Sequence, residues 1–125
     1  MTVEFSNPIE RLGVIGDPHA EEVSLEAALE FFRTNGIEDI VCTGDVVTGQ
    51  GHAESCCQLL RTQNIPTVRG NHDRWLIRFG EVREQYATRL AELTLESIRW
   101  LTDLPSTIDL PTVAGPALLF HVRRQ

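Results

Sequence analysis

Three short polar motifs in this sequence consist of side chains that bind metals: Asp17-Pro18-His19, Gly44-Asp45 and Gly70-Asn71-His72-Asp73. Their ligand atoms are carboxylate oxygen, imidazole nitrogen and amide oxygen. Such a mixed set suits Mn, Fe, Zn, Co or Ni better than Ca. One carboxylate can bridge two such cations at about 3.5–4 Å, and a water they share has its pKa lowered toward about 7. Asp45 is central in the series and is the candidate bridge. The chemistry this indicates is hydrolysis of a phosphoester at a two-metal site.

The elements that must position these motifs follow from the hydrophobic pattern. Leu12 to Ile15 is an apolar run ending in Gly16-Asp17, which predicts a buried strand. Leu25, Ala28, Leu29 and Phe32 recur at helical spacing, with Gly36 as the stop. Ile37 to Thr43 is a second strand, and Ala53, Cys56, Cys57 and Leu60 repeat the helical spacing. Ile65 to Arg69 is a third, short strand interrupted by Pro66. Strand, helix, strand, helix, strand predicts a right-handed parallel unit. Its strands all end on one edge, where ligands bind. The three motifs therefore converge there, each one strand-helix-strand step from the last. His121 follows a final apolar run, Ala117 to Phe120, and joins them if that strand enters the sheet. Between these lie an expected helix over about 74 to 92, a shorter one through Trp100 that Pro105 stops, and an N-terminal arm over residues 1 to 10.

Bland readings stand beside the sharp ones. Asp17 and Asp45 each also suit a turn. His52 reads as a solvent-facing loop residue near a helix start, and Gly49-Gln50-Gly51 is too short for a dinucleotide loop. Cys42, Cys56 and Cys57 read as small core residues. Trp75 either lines a pocket or packs; Arg69 and Arg74 either contact phosphate or are solvated.

The motifs together resemble the calcineurin-like metallophosphoesterase superfamily, whose pattern runs Asp-x-His, Gly-Asp, Gly-Asn-His-Asp, a His after a strand, then Gly-His-x-His. Trp100-Leu101-Thr102-Asp103-Leu104-Pro105 is similar to a segment common in bacterial members, so the resemblance spans roughly residues 11 to 121. It implies an α/β fold: a β-sandwich flanked by helices in α-β-β-α layers, here one partial domain over 1–125 with the first sheet present and the second largely missing. It also implies that Asp17 and His19 bind a first metal, that Asp45 bridges, and that Asn71 and His121 bind a second. His72 would contact phosphate and protonate the leaving oxygen, and Asp73 would orient His72. The substrate implied is a small phosphomonoester, phosphodiester or nucleotide. The late Gly-His-x-His is absent, which removes one ligand from each metal. An alternative is therefore a shortened, inactive scaffold of the same fold. A sheet face left open invites association with another chain, such as a second copy.

Composition bounds the rest. The 125 residues are 42% hydrophobic and 23% charged, a soluble globular balance for one domain. The net charge of −7 argues against a broad basic face for nucleic acid. All eleven basic residues are arginine, so Schiff-base and phosphate-loop lysines are excluded. No run reaches the roughly 18 apolar residues of a membrane span. The N-terminus does not read as a signal peptide. Three cysteines with no C-x-x-C fit a reducing cytoplasm rather than a disulfide framework.

Overall fold

The computed structural model describes residues 5, 7–80 and 85–122. The first sheet pairs β1 (Leu12–Ile15) with β2 (Asp39–Cys42) in parallel, Leu12 opposite Asp39 and Ile15 opposite Cys42. Between them runs α1 (Glu22–Thr34), which buries Leu25 and Leu29. Gly36 then takes the left-handed backbone (φ 71°) that glycine adopts without steric penalty. After β2 comes α2 (Ala53–Thr62), with Ala53, Cys56, Cys57 and Leu60 on its buried face. These elements match the spacing read from the sequence.

The third strand is reduced. Thr67 makes one parallel bridge to Cys42, with the Cys42 N–H donating to Pro66 O (2.9 Å) and the Val68 N–H to Cys42 O (3.1 Å). Pro66 has no N–H to extend the ladder. The Arg69 N–H is committed to Pro105 O (2.8 Å). The expected helix over 74 to 92 is also different. α3 (Asn71–Phe79) begins directly after Gly70 and ends at Gly80, whose φ is 76°. Residues 81–84 of that expectation lie outside the described residues. Beyond them only one short 3-10 turn, Leu90–Glu92, is helical before α4 (Leu95–Asp103). Phe79 and Tyr86 in this stretch are at least half exposed.

The last apolar run does not enter the first sheet. β4 (Gly115–Phe120) pairs antiparallel with β3 (Thr107–Thr112), a strand the sequence reading left out. Side chains alternate across a strand, and β2 shows the result. Ile40 and Cys42 face the helices with Leu29, Leu60 and Leu101. Val41 faces the β3–β4 hairpin, against Ile9, Val68, Ile108, Leu110 and Leu119. The layers are thus helices, sheet, hairpin, and both sheets are two-stranded among the described residues. The hairpin's outer face leaves Leu118 and Phe120 about half exposed (54% and 50%). The expected N-terminal arm is pinned at its end: the Ile9 N–H donates to Pro111 O (2.7 Å) and the side chain is buried. Among the described residues no helix is long and apolar enough to cross a membrane.

Leu60 is fully buried between the sheet and the helices. Leu60→Ala should lower unfolding free energy by about 2–5 kcal/mol, read as a shift in urea midpoint at unchanged slope.

Candidate metal centre

The three motifs meet where β1, β2 and the Thr67 bridge end. Their backbone is unusual. Asp17 (φ 40°), His19 (43°), Ala20 (60°), Asp45 (55°) and Thr48 (73°) all lie in the left-handed region that side chains other than glycine rarely adopt. Conformations of this kind cost about 1–3 kcal/mol each and persist only where neighbours over-determine them. Here the two loops clamp each other: the His19 N–H donates to Asp45 O (2.9 Å) and the Ala20 N–H to Val46 O (2.8 Å).

Asp73 supplies the stronger clamp. Its Oδ2 accepts from the N–H groups of Asp45 (2.9 Å) and Gly70 (3.0 Å), and its Oδ1 from those of Val46 (2.9 Å) and Val47 (3.3 Å). The side chain has no solvent exposure. Burial pushes its carboxyl up to about 6, with the Asp45 charge adding to the rise and the Gly70, Val47 and Val46 N–H groups pulling against it. This corrects the role implied for Asp73. Both its oxygens are taken up by backbone amides, so it shapes the Gly44-Asp45 loop instead of orienting the His72 ring. Gly70 is needed at this junction, because a Cβ there would run into the Asp45 backbone and carboxylate.

Asp45 is the hub, as its central position suggested. It is buried, and its Oδ1 accepts the His72 backbone N–H (2.9 Å) at the start of α3. Its Oδ2 lies 3.2 Å from His121 Nε2 and 3.7 Å from His19 Nε2. The imidazoles are held by their other nitrogens. His19 Nδ1 sits 3.0 Å from Thr48 O and 3.2 Å from Val47 O, and His121 Nδ1 sits 2.8 Å from Thr43 O. Carbonyls only accept, so both Nδ1 atoms carry a proton, and a neutral imidazole held this way turns its Nε2 lone pair toward Asp45. Backbone carbonyls fixing the tautomer in this way are usual for metal-ligating histidine.

All the expected site residues come together. Ligand atoms of His19, Asp45 and His72 lie within 4.8 Å of one another, and so do those of Asp17, Asp45 and His121. Asp45 belongs to both groups. The grouping differs from the one implied: Asp17 sits with His121, and the His72 ring adjoins His19. Asn71 Oδ1 is 3.0 Å from His121 Nε2. Turned about, its NH2 donates to that nitrogen and to both Asp45 oxygens (3.2 and 3.3 Å). Lone pairs of two imidazoles and a carboxylate thus converge on a common space with a carboxamide beside it, a donor set that fits divalent transition cations.

Other residues matter that the motifs did not flag. Thr43 Oγ1 donates to Asp17 Oδ1 (3.2 Å) and accepts the Asp17 N–H (3.3 Å), while its carbonyl holds His121. Its signal was a polar residue closing an apolar strand directly before Gly44-Asp45. Trp75 packs its ring 5.1 Å from that of His72, one helical turn away. His52 precedes α2 with its side chain exposed, and its N–H donates to Glu22 Oε2 (2.8 Å). Burial pushes the Cys42 and Cys56 thiols up to about 12 and raises Cys57 as well, which fits packing rather than chemistry.

The calcineurin-like phosphoesterase family model matches residues 10–122. The chain belongs to that family. Among curated proteins it is similar to the uncharacterized protein MJ0912 of Methanocaldococcus jannaschii, 27% identical over 118 residues, which are 87% of this chain and 47% of that one. Among solved structures it is similar to a metallophosphoesterase from Sphaerobacter thermophilus, at TM-score 0.60 and 29% identity, covering 80% of this chain and 43% of the other. A second, "a putative diadenosine tetraphosphatase", gives TM-score 0.64 at 24% identity, covering 86% and 48%, and speaks for the fold alone. The chain spans about half the length of these relatives. The two small sheets with flanking helices are the α/β fold of the family.

Asp73→Asn would set an NH2 group against backbone N–H donors. It should lower stability by about 2–4 kcal/mol and weaken metal binding in the same sample. Calorimetric unfolding with and without manganese checks this. Unchanged stability with a lowered hydrolysis rate would restore the imidazole-orienting role.

Proposed function

We propose that this chain is a metal-dependent phosphoesterase acting on phosphomonoester or phosphodiester bonds through a pair of divalent ions. The observation that carries the reading is Asp45, a buried carboxylate shared by two donor groups and faced by the Nε2 atoms of His19 and His121. Asp17, His19, Asp45, Asn71 and His121 would hold the ions. When bound, two such ions neutralise phosphoryl oxygens and lower the pKa of water toward about 7.

The protein's own groups supply the rest. Asp45 is fixed by the His72 N–H through Oδ1, which leaves Oδ2 free to face both sides of the centre. The α3 N-terminus adds partial positive charge where a phosphate would sit. His72 is the candidate to protonate the leaving oxygen; its ring is wedged between those of His19 and Trp75, each 5.1 Å away. In this reading Asp73 keeps the Asp45 loop in shape and takes no proton.

The setting we infer is a reducing cytoplasm, supported by three free and buried cysteines. The partners we infer are a small phosphorylated substrate and, over the part of the hairpin's outer face that exposes Leu118, a second chain.

A second reading is a catalytically inactive scaffold of the same fold that holds at most one ion, weakly, and turns nothing over. It is favoured by the small number of protein donors, three titratable ones in each group. Metal analysis paired with an aryl-phosphate assay in manganese separates the two. The enzyme reading expects about two ions per chain and hydrolysis above buffer. Asp45→Ala should lose both, and His72→Ala should slow hydrolysis by about 10²–10⁴-fold. At most one weakly held ion and no rate above buffer would remove the enzyme reading and leave the scaffold reading standing.

A further inference from the structure

A cleft of about 580 Å³ opens beside Asn71 and His121, and Arg69, Arg74, Trp75, Ser106, Phe120 and Val122 complete its walls together with Gly70. Two features separate it from the rest of the surface. Among the described residues it carries two guanidinium groups and no carboxylate, in a chain of net charge −7. It also carries two aromatic rings, Trp75 and Phe120, and Phe120 is half exposed.

Each feature asks for a different part of a ligand. Guanidinium groups match phosphate oxygens, often in pairs of parallel bonds. Aromatic faces stack on nucleobases, at about 1–3 kcal/mol per base. A sugar phosphate would use the arginines and leave the rings idle; an apolar ligand would do the reverse. The volume lies within the range for small-molecule and cofactor sites, about 300–1,000 Å³. The Trp75 ring lines the cleft and touches the His72 ring, so a molecule seated there adjoins the candidate proton donor.

We propose that this cleft binds a nucleotide that carries a phosphate beyond the one cleaved, with its base on the Trp75 and Phe120 wall and the additional phosphate on Arg69 and Arg74. The class of ligand rests on the cleft alone. Its use as substrate rests on the phosphoesterase reading above.

Calorimetric titration of the full chain in EDTA tests the cleft without metal or turnover, using ADP, AMP and ribose 5-phosphate as probes. ADP should bind at least about tenfold tighter than ribose 5-phosphate. Trp75→Leu should erase most of that difference, and Trp75→Phe should restore it. Arg74→Ala, at an exposed position, should narrow the gap between ADP and AMP. That comparison decides the matter if Trp75→Leu does not fold. Equal binding of ADP and ribose 5-phosphate, no binding of either, or an ADP–AMP gap indifferent to Arg74→Ala overturns the proposal. Because these titrations contain no metal, they stand whether or not the aryl-phosphate assay succeeds. Selective ADP binding with no hydrolysis would sink only the substrate role.

Discussion

The Asp73 carboxylate accepts four backbone N–H bonds without contact with water, and the architecture of the centre follows from that contact. An ionised carboxylate taken out of water is costly unless its lone pairs are matched. Here the matching groups are the amides of the loop that carries Asp45 and the amide of Gly70 at the start of α3. Two motifs more than twenty residues apart are thereby locked to one another. Left-handed residues on both sides of the junction are tolerated because the loop has few alternatives once these four bonds form.

Much of this was legible from residue order, for a physical reason. Periodicity marked α1, α2 and the two parallel strands, because each has one face that must leave water. The three motifs each follow an apolar run, and parallel strands end on one edge, so convergence followed from topology. The failures have equally local causes. α3 was placed too late, since Gly70 before Asn71 reads as loop and gives no side-chain cap. β3 was missed, since Pro111 breaks its alternation and its partner is supplied by the other arm of a hairpin. The role of Asp73 could not be read at all. Its partners are backbone amides, and amides leave no trace in residue type.

The same distinction separates the candidate ligands from their supports. Asp17, His19, Asp45, Asn71 and His121 announced themselves by chemistry and spacing. Thr43, whose hydroxyl anchors Asp17 and whose carbonyl fixes His121, did so only weakly. The carbonyls of Val47 and Thr48 that set the His19 tautomer did not announce themselves. The support is mostly main chain, so what matters there is backbone shape, and the glycines at 44, 49 and 70 are where that shape is least negotiable.

His121 reaches Thr43 across 78 residues of chain. It rides on the second sheet, while every other ligand belongs to the first sheet's loops or to α3. The centre is therefore a seam between two layers that also meet through apolar packing and through the backbone bonds of Ile9 to the hairpin. Contacts of such long sequence separation form slowly because loop entropy must be overcome first. An ion gripped from both sides would act as a cross-link between the sheets, with its binding free energy added to that of the fold. A filled centre would add to a docking of the hairpin that the packing of Val41, Val68, Ile108, Leu110 and Leu119 already holds.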